Sequence, residues 1–465
     1  MTPSNIYDTI SAIATPLGTG GVGVIRISGD KSIDIISKIF STSLKAKKLP
    51  EFEPNRVYYG WIVNPENNSP VDEVVVLVFK APRSFTGEDV VEIHCHGGIN
   101  IVKNLLNLTI RHGARLAQKG EFTKRAFLNG KLDLSKAEAI LDLIHSKTDK
   151  FSELSAHNLS GKLAQNINSL RTDLLNLLSE ITAAIDFPEE VEEPEYDYIE
   201  DRINYIIKEI DRVLGTAKTS NLMRQGIKLA IAGKPNVGKS SLFNSLLSMQ
   251  RAIVTDIPGT TRDIIQESLD IDGIPVTLID TAGIREVQNT HSSDYIESIG
   301  IDISKNYIRE ADIVLFVTDL TQGLQDEDRQ IYDEIKEKPV IMVGSKLDLV
   351  EGDLRANIKE YRNAVFISSK DGTGMETLKE QIKKLVHAQD LTENSEFSTN
   401  LRQQECLFNA KKALENALEG VKNMEIQDLI SIDLKTALLA LGEITGEVVT
   451  EEILDNIFTN FCIGK

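Results

Sequence analysis

The sequence has few cysteines and no long apolar run. Its 465 residues include three cysteines, Cys95, Cys406 and Cys462, which are too few and too scattered for a disulfide framework. No apolar stretch approaches the ~20 residues of a membrane span, and the segment Met1–Tyr7 has neither a basic region nor an apolar core. We therefore expect a cytoplasmic protein with reduced thiols, no secretory signal and no membrane-spanning segment.

The sequence is also short of positive charge. It contains 51 Lys and Arg against 70 Asp and Glu, a net charge of −19, which argues against indiscriminate binding of polyanions. One basic stretch stands apart, with seven Lys or Arg against Glu121 and Asp133: Arg111, Arg115, Lys119, Lys124, Arg125, Lys131 and Lys136. This stretch is either a solvated face or a contact for nucleic acid or an anionic ligand.

The length allows about three domains of ordinary size. Residues 1–119 mix runs rich in Val and Ile, Val22–Ile27 and Val71–Phe79, with a glycine-rich turn over Thr15–Gly23. Alternating short β-like runs and turn residues are typical of a compact α+β domain. We predict such a domain at the N-terminus, with the glycine-rich turn leading into a strand.

Helical patterns follow over residues 120–221 and return over residues 388–465. Apolar residues recur at spacings of four and three, the stripe of a helix packed on one side: Leu163, Ile167, Leu170, Leu174, Leu177 and Ile181. The next segment, Asp186–Asp201, holds nine acidic residues, no basic residue and two prolines, which predicts an exposed loop. Helical spacing returns in two further segments, Leu401–Gly420 and Leu434–Leu441. We predict a multidomain chain in which residues 222–387 are inserted into one all-α bundle domain.

The inserted domain begins with a phosphate loop. Gly233–Ser240 fits the pattern G-x-x-x-x-G-K-[ST], in which backbone N–H groups surround the β-phosphate, Lys239 reaches the β- and γ-oxygens and Ser240 binds Mg²⁺. The apolar run Ile227–Ala232 predicts a buried strand, and Ser241–Leu247 predicts a helix whose N-terminus faces the phosphates. The nucleotide contacts expected here are Asn236, Val237, Gly238, Lys239, Ser240 and Ser241.

Motifs further along the chain decide which nucleotide is bound. Asp280 and Gly283 follow an apolar run, where an Asp can hold Mg²⁺ through water and a Gly N–H can sense the γ-phosphate. Asp348 follows another such run, and its carboxylate can accept hydrogen bonds from the guanine N1 and N2 donors, which adenine lacks. The other contacts expected are Thr281, Ala282, Ser345, Lys346, Leu347, Ser368, Ser369 and Lys370. Their order and spacing predict a Ras-like α/β GTPase.

Two positions depart from the usual GTPase pattern. Ser345 replaces the Asn that opens the guanine motif, so we expect fewer ties to the base and phosphate loop, with guanine selectivity kept and affinity moderate. A Ser345→Asn variant should therefore bind GDP more tightly in a nucleotide titration. Ile284 replaces the Gln that orients the attacking water in Ras-type enzymes, and isoleucine has no hydrogen-bonding group for that task. The water must be positioned from elsewhere, with candidates in Arg285–Glu297.

The segment Thr255–Asp263 is the candidate for the first switch. Thr261 would supply a second Mg²⁺ ligand that is lost when the γ-phosphate leaves, which makes an order–disorder switch. The other nucleotide contacts expected in this segment are Thr255, Asp256, Ile257, Pro258, Gly259 and Thr260. Arg262 and Asp263 are either catalytic residues or an ordinary surface ion pair.

Several motifs together resemble one known family. They are Asp8–Ile10 with Ala14–Pro16, Gly20–Gly29, Ser84–Val90, His96–Gly98, Gly120–Asp133, the phosphate loop with Asn236, Gly259–Asp263, and the terminal Phe461-Cys-Ile-Gly-Lys465. Outside the GTPase motifs these are not general nucleotide signatures. The chain resembles, from end to end, the MnmE (TrmE) family of tRNA-modification GTPases.

The resemblance implies a folate site and a dimer. The N-terminal domain would form a homodimer and bind 5-formyl- or 5,10-methylene-tetrahydrofolate through Arg26, Glu92, Lys131 and Lys465. Arg and Lys suit the folate glutamate carboxylates, and a Glu can accept from pterin N–H donors. Cys462 matches the family's C-terminal cysteine, with either a catalytic or a positioning role. We interpret Cys95 and Cys406 as structural, and we do not expect a metal site at His94–His96.

The resemblance also implies a K⁺-activated GTPase that uses Mg²⁺. K⁺ would be held by Asn236, Thr255, Thr260 and the Ile257 carbonyl, and Mg²⁺ by Ser240 and Thr261. Glu297 would orient the water in place of Ile284, with Arg262 and Asp263 also in the catalytic group. Hydrolysis of GTP would be coupled to modification of carbon 5 of the wobble uridine in certain tRNAs, together with MnmG (GidA), a partner that carries FAD, in a heterotetramer.

Two other functions fit parts of the pattern. A ribosome-assembly GTPase of the Era or Der type shares the phosphate loop but should carry an RNA-binding module in place of the N-terminal region. A folate-dependent one-carbon transferase would use GTP only for regulation. Folate binding to residues 1–120 expressed alone would argue against an assembly GTPase. Loss of tRNA modification in a Glu297→Ala protein that cannot hydrolyse GTP would argue against a transferase in which GTP is only regulatory.

Overall fold

The computed structural model describes residues 8–44, 51–249, 266–280, 308–350, 364–387 and 396–465. The chain divides into two compact units: Met1–Leu141, Asn158–Glu200 and Lys412–Lys465 form the first, and Asp142–His157 and Asp201–Lys411 form the second. Within the described ranges, no helix has the length and apolar character needed to cross a membrane.

The helices described are numbered here in chain order. They are α1 (Ser32–Ile39), α2 (Ile99–Arg111), α3 (Glu121–Leu128), α4 (Leu134–His145), α5 (Asp149–Leu159), α6 (Lys162–Asp186), α7 (Tyr196–Leu214), α8 (Ala217–Gln225), α9 (Lys239–Met249), α10 (Asp326–Ile335), α11 (Met375–His387), α12 (Leu401–Lys422), α13 (Gln427–Thr445) and α14 (Glu451–Phe458). A 3₁₀ turn covers Leu347–Leu349.

The first unit contains a seven-stranded sheet in the order β3-β4-β5-β6-β2-β1-β7. Its strands are β1 (Ile10–Ile13), β2 (Gly20–Ser28), β3 (Phe40–Ser41), β4 (Arg56–Val63), β5 (Pro70–Phe79), β6 (Val90–Gly97) and β7 (Arg115–Leu116). Successive side chains on a strand point to opposite faces. Ile25 and Ile27 on β2 and Ile93 on β6 are therefore buried in one core, which leaves Arg26 and the facing Glu92 on the other side of the sheet.

Helices α6 and α13 pack together in the same unit. All six apolar residues of the predicted stripe on α6 are buried, which confirms that helix and its packed side. A separate cluster joins α4 to α14 and the C-terminal Phe461, through Leu134, Ile457 and Phe458. The C-terminal segment is therefore part of the first unit's core.

The second unit contains a six-stranded sheet in the order β13-β12-β11-β8-β10-β9. Its strands are β8 (Ile227–Ala232), β9 (Gln266–Ile271), β10 (Ile274–Asp280), β11 (Ile313–Asp319), β12 (Val340–Ser345) and β13 (Val365–Phe366). All neighbours are parallel except the β9–β10 hairpin. Parallel strands need crossover connections and expose their carboxyl ends at one edge, which is where ligands bind in open α/β sheets. The predicted α/β plus all-α fold class is confirmed.

Three local predictions need correction. The acidic segment is not loop throughout, because Tyr196–Asp201 already belongs to α7, where Ile199 is buried. The glycine-rich turn is shorter than predicted, since β2 begins at Gly20, with an irregular register between Gly20 and Gly23. The basic stretch is not one solvated or ligand-binding face, because Arg125 is buried and both it and the half-buried Arg115 pair with carboxylates.

The start of α5 belongs to the core of the second unit. Phe151 is 2% exposed and is buried in the same cluster as Ile271 and Ile274 of the hairpin. The Thr148 hydroxyl donates to the Gly273 carbonyl at 2.8 Å. The predicted domain division assigns this segment to the helical domain, residues 120–221, whereas the structure packs it in the second unit. The four-part division itself stays a prediction.

Candidate functional site

The phosphate loop leaves the carboxyl end of β8 through a position that only glycine can occupy. Gly233 has φ +148°, and a Cβ there would lie 2.3 Å from the Val317 carbonyl oxygen of β11. Gly238 has φ +98°, also in the region that L side chains avoid. The predicted strand and helix on either side are both present. The two glycines therefore allow the backbone to curl into a phosphate-sized loop.

Lys239 occupies the inside of that loop. It is the first residue of α9, is 8% exposed, and its Nζ donates to the carbonyls of Gly233 at 2.9 Å and Lys234 at 2.6 Å. Ser240 follows at the exposed N-terminus of the same helix. Unsatisfied N–H groups and the dipole make a helix N-terminus favourable for anions. Loop, lysine and helix thus converge on one position for a phosphate.

Asn236 stands at the exposed crest of the loop with φ +65°. Non-glycine residues rarely adopt this left-handed conformation, and Asn is among the few that tolerate it. The backbone therefore presents the Asn236 side chain to solvent at the loop's open side. Its amide oxygen is a neutral ligand suitable for a monovalent cation.

Ser345 connects the guanine motif to the phosphate loop. It ends β12, is 3% exposed, and its hydroxyl lies 2.5 Å from the Val237 carbonyl oxygen and 3.0 Å from that of Thr318. The short side chain thus keeps a tie to the phosphate loop. The serine hydroxyl cannot replace the side-chain amide that the usual Asn would offer to the base.

Removing that hydroxyl should weaken nucleotide binding. In a Ser345→Ala variant the buried Val237 carbonyl loses its donor, and an unpaired buried polar group costs about 1–3 kcal/mol. We expect GDP affinity to fall by about tenfold in an isothermal titration. Ser248→Ala, which removes an exposed hydroxyl from α9, is the matched control. Equal affinities in the two variants would show that the tie does not support the loop.

Lys346 and Asp348 are fixed by neighbouring groups. The Lys346 ammonium contacts Asp319 Oδ2 at 2.7 Å, and the Asp319 side chain also accepts from the Thr321 hydroxyl. Burial raises the pKa of Asp319, but Lys346 and Thr321 outweigh it, so the pKa of this carboxyl lies below its usual value. The exposed Asp348 carboxylate accepts from the Ser368 hydroxyl at 3.1 Å. The β12 and β13 ends therefore bring the two predicted base-contacting segments together.

The other residues predicted to contact the base lie in these loops. The Leu347 N–H donates to the Ile367 carbonyl, and the Lys370 N–H donates to the Ser368 hydroxyl. Ser369 lies between Ser368 and Lys370 in the chain. Asp280 is the last residue of β10 and pairs with Ile231 of β8, which places its backbone beside the start of the phosphate loop. The other predicted residues lie outside the described part of the chain: Thr255, Asp256, Ile257, Pro258, Gly259, Thr260, Thr261, Arg262, Asp263, Thr281, Ala282, Gly283, Ile284 and Glu297.

A second candidate site lies on the outer face of the N-terminal sheet. Arg26 on β2 donates from Nε to Glu92 Oε1 on β6 at 2.8 Å. The guanidinium carbon also lies 5.6 Å from the ring centre of Phe85 and 5.7 Å from that of Phe122. Such cation–π contacts restrict a guanidinium to one plane. Arg26 is thus held in place, with Glu92 beside it.

The C-terminal segment completes this site. Arg26 Nη1 donates to the Gly464 carbonyl at 3.3 Å, and the Gly120 N–H donates to that of Cys462 at 3.4 Å. Gly464 has φ +98°, and a Cβ there would lie 2.3 Å from the Ile13 carbonyl oxygen. The next residue, Lys465, is half-buried, and the Cys462 side chain is exposed. The site therefore combines a charged pair, an aromatic ring and a thiol-bearing loop.

Lys131 lies against the loop that carries Phe85. Its exposed Nζ donates to the Pro82 carbonyl at 3.0 Å, and its side chain is packed near Gly87. The structure thus brings Arg26 and Glu92 into direct contact and places Lys465 one residue from the Gly464 carbonyl that Arg26 contacts. Lys131 is connected to this site only through its contacts with the loop at residues 82–87, which carries Phe85.

A buried charge network beside this site was missed by the sequence analysis. Arg125 of α3 is 3% exposed and contacts three carboxylates, Asp8 at 2.8 Å, Glu88 at 3.1 Å and Glu121 at 3.0 Å. The hydrogen bond from Arg115 is the largest cause of the lowered pKa of Asp8. Burial raises the pKa of Glu121, but hydrogen bonds from Arg115, the Gln118 N–H and Arg125 outweigh the effect of burial. The pKa of Glu121 therefore lies below its usual value. The sequence offered one signal, which is that Arg125 shares a helical segment with the apolar Phe122 and Ala126. Both of those residues are fully buried in the structure.

Two family models match the chain across both sites. Residues 9–131 match the model described as GTP-binding protein TrmE N-terminus, and residues 134–462 match the model described as MnmE helical domain. The chain belongs to the MnmE family. As an MnmE family member it is a tRNA modification GTPase and hydrolyses GTP. The N-terminal match contradicts the alternative of an assembly GTPase of the Era or Der type, in which another module would stand there.

Full-length MnmE relatives agree with this assignment. The tRNA modification GTPase MnmE of Desulforamulus reducens is 45% identical over 464 residues, which cover 98% of this chain and 99% of the relative. That of Thermoanaerobacter pseudethanolicus is 43% identical over 465 residues, covering 99% and 100%. Among solved structures, Era of Aquifex aeolicus bound to GDP and AlF₄⁻ is 31% identical, covers 40% of this chain and 66% of that chain, and has a TM-score of 0.28.

Proposed function

We propose that this GTPase is activated by K⁺ and couples hydrolysis of GTP to GDP and phosphate with a tetrahydrofolate-dependent modification of tRNA. The product is an aminomethyl or carboxymethylaminomethyl group at carbon 5 of the wobble uridine, U34, of certain tRNAs. A flavoprotein partner, MnmG (GidA), contributes FAD. The observation that carries the proposal is the coexistence, in one MnmE family chain, of a formed phosphate loop and the Arg26–Glu92 pair.

The phosphate loop supplies the GTP and Mg²⁺ contacts. Lys239 lies within reach of loop carbonyls, and phosphate oxygens would replace these as its acceptors. Ser240, exposed at the start of α9, would hold Mg²⁺ together with Thr261. The ion neutralises charge that develops on the phosphates. Asp280 would act through water, and the base would be held by the Ser345–Asp348 and Ser368–Lys370 segments.

Asn236 supports the K⁺ part of the proposal. Its exposed side chain on the left-handed crest offers a neutral oxygen at the open side of the loop. Thr255, Thr260 and the Ile257 carbonyl would add further oxygen ligands. A cation there would do the work that an arginine finger does in other GTPases. Glu297 would orient the water, with Arg262 and Asp263 beside the reacting groups.

The N-terminal site supports binding of 5-formyl- or 5,10-methylene-tetrahydrofolate. Glu92 offers a carboxylate to pterin N–H groups, and the cations Arg26, Lys131 and Lys465 suit the glutamate carboxylates of the folate. The exposed Cys462 lies in the loop over this site and would either react or position the substrate. The folate supplies the one-carbon unit, and glycine or ammonium supplies the amine.

A homodimer formed through the N-terminal domain, and a heterotetramer with MnmG, complete the proposal. Val57 and Tyr59 on β4 are each 65% exposed, which supports an apolar contact on this sheet. We place the protein in the cytoplasm with its tRNA substrate. Sedimentation velocity of the protein alone and with MnmG measures both assemblies.

Changing Arg26 to lysine should impair folate binding selectively. Lysine keeps the charge but loses the planar fork that reaches Glu92 and Gly464 together, and a lost charged hydrogen bond costs about 1.5–3 kcal/mol. We expect 5-formyl-tetrahydrofolate to bind about tenfold more weakly by titration, with unchanged GTP turnover. Arg56→Lys on exposed β4 is the matched control. If both variants bind folate like the wild type, Arg26 is not a folate contact.

The experiment that tests the whole proposal is GTP turnover in K⁺ and in Na⁺, with folate and purified MnmG present, alongside tRNA modification. Faster turnover in K⁺ and modified tRNA are expected. Equal turnover in both ions would exclude K⁺ activation. Full tRNA modification by Glu297→Ala without hydrolysis would favour the second alternative, a transferase in which GTP is only regulatory.

A further inference from the structure

Lys234 is a phosphate-loop residue with a largely buried charged side chain. It directly follows Gly233 and is not among the nucleotide contacts predicted above. Its ammonium contacts Asp328 Oδ2 at 2.9 Å, and the two side chains are 13% and 1% exposed. A lysine ammonium is strongly hydrated, so its burial requires a partner. This ion pair lies within the second unit and joins the phosphate loop to α10.

Asp328 is itself fixed at the start of α10. It is the third residue of that helix, and its Oδ2 also accepts from the Gln325 N–H at 2.9 Å. Such a bond back to the residue before the helix is half of a capping box. Further along α10, Ile335 is 1% exposed and is buried in one cluster with Phe316 of β11. The helix therefore holds the Asp328 carboxylate in a fixed position relative to the sheet.

The backbone of Lys234 contacts the phosphate-binding lysine. Its carbonyl accepts from Lys239 Nζ at 2.6 Å, and the Gly233 carbonyl accepts from the same ammonium at 2.9 Å. Glycine gives a chain wide conformational freedom, so Gly233 alone does not fix the direction of the segment that follows it. The buried ion pair restrains the next residue. Lys234 thus connects α10, through its side chain, to Lys239, through its carbonyl.

Stability alone gives a poor account of this ion pair. The desolvation of two charges can exceed their attraction, and buried pairs are often replaced by apolar residues without loss of stability. The position of the pair favours a role in the site, because one partner belongs to the loop that binds phosphate. A lysine that is fixed before the ligand arrives needs less reorganisation when phosphate oxygens replace the loop carbonyls. The ion pair therefore suits preorganisation of the nucleotide site.

We propose that Lys234 and Asp328 are positioning residues for nucleotide binding, which hold the Lys239 ammonium at the phosphate position through the Lys234 carbonyl. Both act on the nucleotide only through Lys239. Loss of the pair lets the start of the loop relax, and a bound nucleotide must then restore it. Because this penalty is the same in the ground state and the transition state of hydrolysis, KM rises and kcat is unchanged. GDP and GTP both carry a β-phosphate and are affected alike.

The test is a cycle of variants in the full-length protein. Lys234→Met with Asp328→Asn removes both charges, leaves neither buried alone, and keeps an acceptor for the Gln325 N–H. We expect this double variant to bind GDP about tenfold more weakly by isothermal titration. KM for GTP should rise by the same factor, with kcat within about twofold of the wild type. Lys336→Met with Asp333→Asn is the matched control and should behave like the wild type, since it removes an exposed 2.9 Å pair from the end of the same helix.

Other results would overturn the proposal. Titrations are run well below the unfolding midpoint of each variant, so that only folded proteins are compared. Wild-type affinity in the double variant would show that the pair is structural only. If Lys234→Met alone binds weakly and the added Asp328→Asn restores affinity, the loss comes from a buried carboxylate without its cation and not from the missing restraint. A fall in kcat with unchanged KM would assign the pair to the chemical step and contradict a role in positioning the loop.

Discussion

Replacing Arg125 with methionine should lower the free energy of unfolding of the N-terminal domain by about 3–5 kcal/mol, the cost of leaving buried charges without their partner. Arg125 is 3% exposed and contacts the carboxylates of Asp8, Glu88 and Glu121. Methionine is of similar length and fills the space, so the loss is mainly electrostatic. Hydrogen exchange of the β1 and β2 amides in the intact protein measures the effect.

Lys124→Met is the matched control for that variant. Lys124 is adjacent in sequence, but its ammonium pairs with an exposed carboxylate, Asp455, at 2.7 Å. Exposed pairs contribute about 0–1 kcal/mol. Similar protection in the two variants would therefore refute the assignment of Arg125 as a structural centre.

Acidification should remove the difference between Arg125→Met and the wild type. The folded state lowers the pKa of both Asp8 and Glu121, so their stabilisation is complete above their unfolded pKa values of about 4. It is lost as the pH falls through the lower folded values. Unfolding midpoints of the two proteins should accordingly begin to converge as the pH falls below about 4 and should meet only below the lowered folded pKa values. A difference that persists in acid would point to packing in place of charge.

An Asn236→Gly variant should lose its response to K⁺ while it keeps its affinity for GTP. Glycine removes the side-chain oxygen but accepts the φ of +65° without strain. Alanine is a poorer test, since a Cβ in that conformation costs about 1–2 kcal/mol and would disturb the loop for unrelated reasons. The glycine variant therefore tests the loss of the Asn236 side-chain oxygen without a change in backbone conformation.

The expected loss of turnover in K⁺ is about a hundredfold, because an arginine finger, whose role the ion would take, contributes roughly 10³–10⁵. Stopped-flow or steady-state hydrolysis in K⁺ and Na⁺ gives the comparison. Asn236→Asp is the matched control, because it tolerates the left-handed backbone and keeps an oxygen for the cation. A glycine variant that still responds fully to K⁺ would remove Asn236 from the set of K⁺ ligands.

The sequence predicted the phosphate loop and its flanking elements well because their determinants are local. Gly233, Gly238 and Lys239 lie within seven consecutive residues and impose one backbone path. The α6 stripe was equally clear, since one helix face repeats along one segment. Local rules of glycine conformation and helical period are sufficient for both.

The network around Arg125 could not be found in that way. Its carboxylate partners Asp8 and Glu88 lie 117 and 37 residues away in the chain, and only the fold brings them together. The start of α5 shows the same limit, because an apolar face does not say which sheet covers it. The acidic segment was misjudged for another reason. Ile199, Ile203 and Ile206 repeat at helical spacing, but the nine acidic residues around the start of this repeat are also typical of an exposed loop.

The contact between Arg26 and the Gly464 carbonyl joins residues 438 positions apart. A ribosome adding about 5–20 residues per second makes Gly464 roughly 20–90 seconds after Arg26. For most of that interval the N-terminal sheet, whose last strand ends at Leu116, is present without the C-terminal loop that contacts Arg26, Gly120 and Ile13. The contact between Arg26 and the C-terminal loop is thus assembled last, and a chain released early cannot form it. Translation itself sets the order in which the two sites of this enzyme mature, with the phosphate loop first.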